Sequence, residues 1–215
     1  VQSVYPASVV KYMTILLARE YHSADWTSGT VPITAAAVTQ PYAGITVSFA
    51  GLQANDVITW EGLAYCAALP SGGDACLAIA RVIGTEIYVA AGSTGNTGVA
   101  RFVERMNSRA AELSMTNATF FDSFGGSKTF DPEVVRNAMS ARDLTKVCAK
   151  VYDDATARTI FGTTSHDVII TGPNARTMSL TNVVAFLNGP FVNPSGVKDS
   201  SIVMAKTGTW VLVSP

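Results

Sequence analysis

Cysteine and histidine are both scarce in this sequence. The three cysteines, Cys66, Cys76 and Cys148, are too few for a disulfide scaffold and lack the paired spacing of a zinc site, so we expect small buried side chains. Cys66 and Cys76 could form a disulfide only if the helices that carry them pack side by side. His22 and His166 have no carboxylate or second histidine at ligand spacing, which supports neither a zinc site nor a Ser-His-Asp triad. Both histidines are therefore expected to be structural.

Charge and long apolar runs are also limited. Charged residues make up 14% of the 215 residues, the net charge is -1, and no run of Lys and Arg could follow a phosphate backbone, which argues against a nucleic-acid partner. No apolar segment is long enough to cross a membrane, and the amino terminus lacks the pattern of a signal peptide. We expect any export signal or anchor to lie outside this sequence. With 48% hydrophobic residues, the chain should form a globular domain with a sizeable core.

Hydrophobic periodicity predicts a mostly helical middle of the chain with β-prone segments elsewhere. Ser140 and Asp143 have the spacing of a capping box, and Gly172-Pro173-Asn174 separates two β-prone runs as in a hairpin. The predicted helices cover 8–19, 59–67, 74 onward, 99–113, 131 onward and 140–151, and the predicted extended segments are 31–50, 167–171, 177–180 and 201–213.

Ser8 and Lys11 stand three residues apart at the start of the first predicted helix. This spacing stacks a hydroxyl beneath an amine, and a desolvated lysine with a lowered pKa can take the proton of a serine nucleophile. The alternative is that Ser8 caps the helix and Lys11 is an ordinary surface lysine. The apolar residues around Lys11 favour the catalytic interpretation.

Two further motifs follow in order along the chain. Ser71-Gly72-Gly73 lies between two predicted helices, where it could simply be a turn. Lys206-Thr207-Gly208 lies within the last predicted strand, where a glycine suggests that a substrate peptide approaches the backbone closely. Penicillin-recognising serine enzymes use S-x-x-K first and K-T-G last.

The ordered set resembles the D-alanyl-D-alanine carboxypeptidases of the low-molecular-mass penicillin-binding proteins, which are serine peptidases that trim peptidoglycan stem peptides. Residues 6–14 resemble the P-A-S-x-x-K-x-M-T of that family, 102–107 its F-V-x-x-M-N, 113–120 its L-G-M-x-N-T-x-F and 140–144 its S/T-A-R-D-M. The resemblance implies an α/β fold of the α+β type, β-lactamase/transpeptidase-like, in which an antiparallel sheet is flanked by helices. We expect one domain over 1–215, a mostly helical lobe from about 20 to 165, and terminal strands of the sheet missing from this chain.

The resemblance also implies a role for each motif residue. Ser8 would attack the carbonyl between the two terminal D-alanines, Lys11 would take its proton, and Ser71 would relay protons to the leaving amine. The backbone N–H groups of Ser8 and Thr209 would hold the oxyanion. The residues assigned to substrate binding are Gly73, Lys206, Thr207, Gly208 and Thr209.

The second motif departs from the family pattern, because Gly73 stands where the family has asparagine. That asparagine positions the substrate amide, so its loss bears on turnover and substrate register more than on acylation. A binding module that has lost catalytic efficiency is therefore one alternative. A class A β-lactamase is another, although we find neither an S-D-N motif nor a deacylating glutamate. The third alternative is that all three motifs are caps, turns and solvated lysines.

The partners implied by the resemblance are a peptidoglycan pentapeptide that ends in D-Ala-D-Ala and β-lactam antibiotics as covalent inhibitors. No metal or organic cofactor is implied. The expected location is the periplasm or another extracytoplasmic part of the cell envelope. Membrane association would require segments absent from this chain.

Overall fold

The computed structural model describes residues 2–39, 47–92, 98–126, 136–184, 187 and 202–208. Two 3₁₀ turns, Ala7–Val10 and Gly172–Asn174, accompany its helices and strands. The helices are α1 Lys11–His22, α2 Ala35–Val38, α3 Trp60–Ala68, α4 Gly73–Ala90, α5 Gly98–Glu112, α6 Ala141–Asp153 and α7 Ala155–Gly162. The strands are β1 Ser3–Val4, β2 Thr30–Pro32, β3 Val57–Thr59, β4 Met139–Ser140, β5 Ser165–Ile170 and β6 Arg176–Thr181.

The described strands form three antiparallel pairs, β1 with β4, β2 with β3, and β5 with β6. The predicted hairpin is confirmed, since β5 and β6 pair from Ser165 opposite Thr181 to Ile170 opposite Arg176. The mixed α/β class is confirmed as well, although a single antiparallel sheet is not seen among the residues described. The predicted strand over 201–213 is wrong for 202–208, which the structure assigns to no strand, and the remainder lies outside the described ranges. The division into a sheet and a helical lobe stays a prediction.

The core is centred on α1, whose residues 11–18 are all buried, and on the first half of α4. Helix α4 packs on α1, α3 and α5. Gly84 allows the closest of these contacts, because a Cβ at that position would overlap the backbone of Gly98. Within the described part of the chain, no helix combines the length and apolar character that crossing a bilayer requires.

Side-chain caps fix the start of several helices. Thr59 Oγ1 accepts a hydrogen bond from Gly62 N at 3.1 Å, and Ser140 Oγ accepts one from Asp143 N at 3.1 Å, so both predicted helix starts are confirmed. Ser8 is different. It lies inside the 3₁₀ turn that precedes α1, and no side-chain cap hydrogen bond is made at that end. The interpretation of Ser8 as a helix cap is therefore wrong, because its hydroxyl faces Lys11 instead.

Of the three cysteines expected to be buried, Cys66 and Cys76 are buried, whereas Cys148 is only partly buried. All three cysteines are free, so Cys66 and Cys76 do not form a disulfide in this structure. His166 stacks on Tyr65 with ring centroids 3.6 Å apart. His22 stacks on Trp60, but it also lies 3.2 Å from Asp25 Oδ1 and 3.1 Å from Glu86 Oε2. The expectation that His22 has no carboxylate at ligand spacing was wrong, since Asp25 is only three residues away; the contact with Glu86 of α4 is tertiary. The predicted helix start at 131 and most of the loop at 92–98 lie outside the described residues.

The hairpin is fixed to the rest of the molecule through Asp56, whose carboxylate is fully buried. Arg176 on β6 donates two hydrogen bonds to it, at 2.7 and 2.8 Å, and Asn174 donates a third at 3.1 Å. Burial alone would raise the pKa of Asp56, but the hydrogen bonds from Arg176, Gln53 and Asn174 outweigh it and hold the pKa below its usual value. A buried carboxylate of this kind depends on its partners.

The Arg176→Ala substitution should lower the free energy of unfolding by about 3 kcal/mol, because it leaves the Asp56 carboxylate buried without its cation. Arg101→Ala is the matched control and should cost under about 1 kcal/mol, since the Arg101–Glu104 ion pair is exposed. Denaturant unfolding measures both. Equal effects of the two substitutions would contradict this assignment.

The same pair predicts a pH dependence with a definite sign. The folded pKa of Asp56 is lowered, so its stabilising contribution is present above the unfolded pKa of about 3.9 and is lost as the pH falls through the folded value. Arg176→Ala should therefore reduce the difference in stability between pH 6 and pH 3.

Candidate active site

Ser8 and Lys11 are adjacent in the folded chain, as their spacing predicts. Lys11 Nζ lies 3.0 Å from Ser8 Oγ, within hydrogen-bonding distance. The 3₁₀ turn and the first turn of α1 place both side chains on one side of the helix start. Ser8 is half-buried, so its hydroxyl is accessible to a substrate, as a nucleophile must be. Lys11 is 1% exposed, so its amine is desolvated, as a lysine base must be.

A turn that follows α5 accepts a hydrogen bond from the Lys11 amine. Lys11 Nζ donates to the carbonyl oxygen of Phe124 at 2.6 Å, in a contact that spans 113 residues. Asp122 shapes this turn, because its Oδ1 accepts hydrogen bonds from the N–H groups of Phe124 and Gly125. Gly125 has a φ of 79°, and a Cβ there would overlap the carbonyl of Ala7. The turn therefore packs directly on the backbone that leads to Ser8.

The second and third motifs meet at Ser71. Lys206 Nζ donates to Ser71 Oγ at 2.8 Å, across 135 residues, and to Thr207 Oγ1 at 3.2 Å. Ser71 is buried and has a φ of 63°, which is unusual for a residue with a side chain. Backbone strain of this kind is concentrated at functional sites.

Gly208 brings the third motif against the first. A Cβ at Gly208 would lie 3.0 Å from the carbonyl oxygen of Pro6 and 3.4 Å from Val9 Cγ1, so the glycine allows the two backbones to approach. Ala7, which precedes the candidate nucleophile, has a φ of 46° and is a second strained residue. The three motifs, far apart in sequence, therefore lie together.

Burial governs the electrostatics of this cluster. It lowers the pKa of Lys11, and the nearby side chains of Cys76, Asp122 and Asp74 offset part of that effect. Burial, together with the charge of Lys11, lowers the pKa of Lys206 to about 7. Both amines therefore lose a proton more readily than an ordinary lysine does. Among the described side chains, no group of three possible ligands could hold a metal ion.

Most of this chain, including the first two motifs, matches a family of known proteins. Residues 1–199 match the profile of the peptidase S11 family, described as D-alanyl-D-alanine carboxypeptidase. The chain belongs to this family.

The similarity to individual proteins agrees with that assignment. The D-alanyl-D-alanine carboxypeptidase of Streptomyces sp. (strain K15) is 33% identical over 162 residues, which are 74% of this chain and 51% of that protein. The chain thus matches about half the length of this curated relative. A solved structure of a mutant of the Streptomyces K15 DD-transpeptidase has a TM-score of 0.75 and 26% identity, and the match covers 97% of this chain and 72% of that one.

The D-alanyl-D-alanine carboxypeptidase from Mycobacterium tuberculosis H37Rv is more distant. Its TM-score is 0.64 at 20% identity, and the match covers 86% of this chain and 60% of that one, so the likeness concerns the fold.

Most of the predicted S11 site residues are brought together, and only Thr209 lies outside the described ranges. The sequence did not identify the turn of Asp122 and Phe124 that holds Lys11. An Asp two residues before Phe124-Gly125 is a signal for a turn, since Asp side chains commonly bond the backbone N–H groups that follow. That signal could not show that the carbonyl of Phe124 faces Lys11, because the contact is purely tertiary.

We expect the Lys206 amine to titrate with a midpoint near pH 7, because it is desolvated and close to Lys11. Reductive ¹³C-methylation followed by NMR should show one lysine resonance with this midpoint. The resonance should be missing from the Lys206→Arg variant, which assigns it. A Lys206 resonance that does not move below pH 9 would contradict the environment described for this amine.

Proposed function

We propose that this protein is a serine D-alanyl-D-alanine carboxypeptidase that removes the terminal D-alanine of peptidoglycan stem peptides through an acyl-enzyme on Ser8. The observation that carries the proposal is the convergence of Ser8, Lys11, Ser71 and Lys206, with the 3.0 Å Ser8–Lys11 and 2.8 Å Lys206–Ser71 contacts, in a chain of the S11 family.

In the acylation step, neutral Lys11 accepts the proton of Ser8 Oγ as this oxygen bonds to the carbonyl carbon of the penultimate D-alanine. The 2.6 Å hydrogen bond to Phe124 supports this role, because it uses one N–H of the amine and leaves its lone pair for Ser8. The resemblance to the family makes the backbone N–H groups of Ser8 and Thr209 the proposed donors to the oxyanion.

When the intermediate collapses, the C–N bond breaks and the leaving D-alanine amine needs a proton. Ser71 relays it: the hydroxyl passes its proton to the amine and takes up in exchange the proton that Lys11 accepted from Ser8, while the hydrogen bond from Lys206 supports Ser71. Protonated Lys206 and the Thr207 and Thr209 hydroxyls bind the terminal carboxylate of the substrate, while the exposed backbone of Gly208 leaves room for the peptide. Water then hydrolyses the ester and regenerates Ser8.

A β-lactam would acylate Ser8 in the same way, but its leaving amine stays tethered and its ester hydrolyses slowly. The substrate places the protein in the periplasm or another extracytoplasmic part of the cell envelope. A penicillin-binding module with weakened turnover is the second candidate. Gly73 favours it, because no side-chain amide is present there to orient the substrate.

Exposure to benzylpenicillin should increase the intact mass of the protein by one penicilloyl group, because Ser8 opens the lactam ring without losing atoms. Ser8→Ala should show no increase. Ser108→Ala, which removes a serine hydroxyl from α5, is the control and should acylate normally. Labelling that persists in Ser8→Ala would remove Ser8 from its assigned role. Hydrolysis of diacetyl-Lys-D-Ala-D-Ala by the native protein distinguishes the peptidase from the binding module.

The second-order rate constant for acylation should depend on pH through both lysines. It should rise as Lys11 loses its proton, and it should fall at higher pH as Lys206 loses its own, because Lys206 must keep its proton to bind the carboxylate. The arginine of Lys206→Arg stays positively charged over this pH range, so the decrease in the acylation rate constant should occur at a higher pH in this variant. An unchanged midpoint in Lys206→Arg would exclude Lys206 as the group responsible.

A further inference from the structure

The turn that carries Ser71 is bound to the segment of residues 47–52. Gly73 N donates to the carbonyl oxygen of Ser48 at 2.6 Å. The buried carboxylate of Asp74 accepts hydrogen bonds from three successive N–H groups, those of residues 50–52, at 2.9 to 3.1 Å. The second motif and this segment therefore form one hydrogen-bonded unit, and a displacement of either would move the other.

Gly73 is needed in this unit for space and not for backbone conformation. Its φ is not positive, and it is the first residue of α4. A Cβ at position 73, however, would overlap Cγ1 of Val47. Without that methyl group, the nearest atoms would be the Ser48 carbonyl oxygen at 3.3 Å and Val47 Cβ at 3.6 Å, which are far less crowded. The Val47 side chain occupies the space into which a side chain at position 73 would project.

We propose that Val47 is a positioning residue for Ser71, and that Val47 and Gly73 are a sterically matched pair that replaces the asparagine of the second motif by a branched apolar side chain. This inference rests on the proposed function, since it concerns the site at which Ser71 delivers a proton. Ser71 is two residues from Gly73, has a strained φ of 63° and lies 2.8 Å from Lys206 Nζ. A small shift at position 73 would therefore change the Ser71–Lys206 contact.

The matched pair of Val47 and Gly73 also explains why the site has Gly73 in place of the family's asparagine while the polar residues of the three motifs are present. The asparagine was not simply lost, because its space is filled from another part of the chain. Restoring it alone, as in Gly73→Asn, would force Val47 and the backbone of Ser48 away from the motif. We expect that variant to be slower than the native protein in acylation.

The test is a double-substitution cycle of Gly73→Ala, Val47→Ala and the two combined. Gly73→Ala should lower the rate constant for acylation by benzylpenicillin at least about tenfold, as overpacking in a closely packed site does. The double variant should recover to within about threefold of Val47→Ala, because the clashing methyl group is gone. Additive effects, or no effect of Gly73→Ala, would overturn the pairing.

A thioester substrate separates positioning from general damage to the fold. Its leaving thiolate needs no proton, so misplacement of Ser71 should slow Gly73→Ala by less than about threefold with the thioester. Equal losses with the thioester and the β-lactam would overturn the positioning role. Thermal unfolding midpoints of all variants are measured alongside.

Val103→Ala is the matched control, because Val103 is also a partly buried valine but lies on α5. Combined with Gly73→Ala, it should restore neither acylation nor folded yield, whereas Val47→Ala should restore both even if Gly73→Ala folds poorly. Equal recovery of Gly73→Ala by Val47→Ala and by Val103→Ala would contradict the inference. A native protein that is not acylated at Ser8 would instead refute the proposed function.

Discussion

The burial of the Lys11 amine is the constraint on which the rest of the site depends. Keeping a charge on a lysine that is 1% exposed costs desolvation free energy, and its N–H groups need hydrogen-bond acceptors. When the amine is protonated, the carbonyl of Phe124 and the hydroxyl of Ser8 are such partners. Because Phe124 belongs to a turn shaped by Asp122, the position of the amine depends on a segment more than a hundred residues away.

Burial and the nearby acidic side chains act on the pKa of this amine in opposite directions. Nearby acidic side chains favour its protonated form, while burial favours the neutral form that a base requires. Lys206 is subject to the same desolvation and also to the charge of Lys11. The two lysines therefore titrate as an interacting pair, and each depends on the protonation state of the other. Close packing of the three motifs makes such coupling unavoidable.

Glycines at the contacts between motifs serve this packing in different ways. Gly125 has the left-handed backbone conformation, and there is no space for a side chain at its position. At Gly73 the backbone φ is not positive, and only the space for a side chain is missing. Gly208 lets the third motif approach Pro6 and Val9. Ala7 and Ser71 adopt positive φ values despite carrying side chains, which places local strain beside the candidate nucleophile and at the second motif. Hydrogen bonds and packing around these residues must supply the compensating stability.

The sequence by itself determined the local features: the start of α3 at Thr59, the capping box at Ser140, the hairpin around Gly172, and the pairing of Ser8 with Lys11. Each depends on side chains a few residues apart, whose relative positions the helix or turn geometry fixes. The order of the motifs also indicated the family. Only the tertiary structure decided that Ser8 faces Lys11 without capping the helix, that residues 202–208 form no strand, and that Phe124 and Val47 support the site. These features depend on contacts between segments distant in sequence, and no local pattern encodes which backbone group will meet a given side chain.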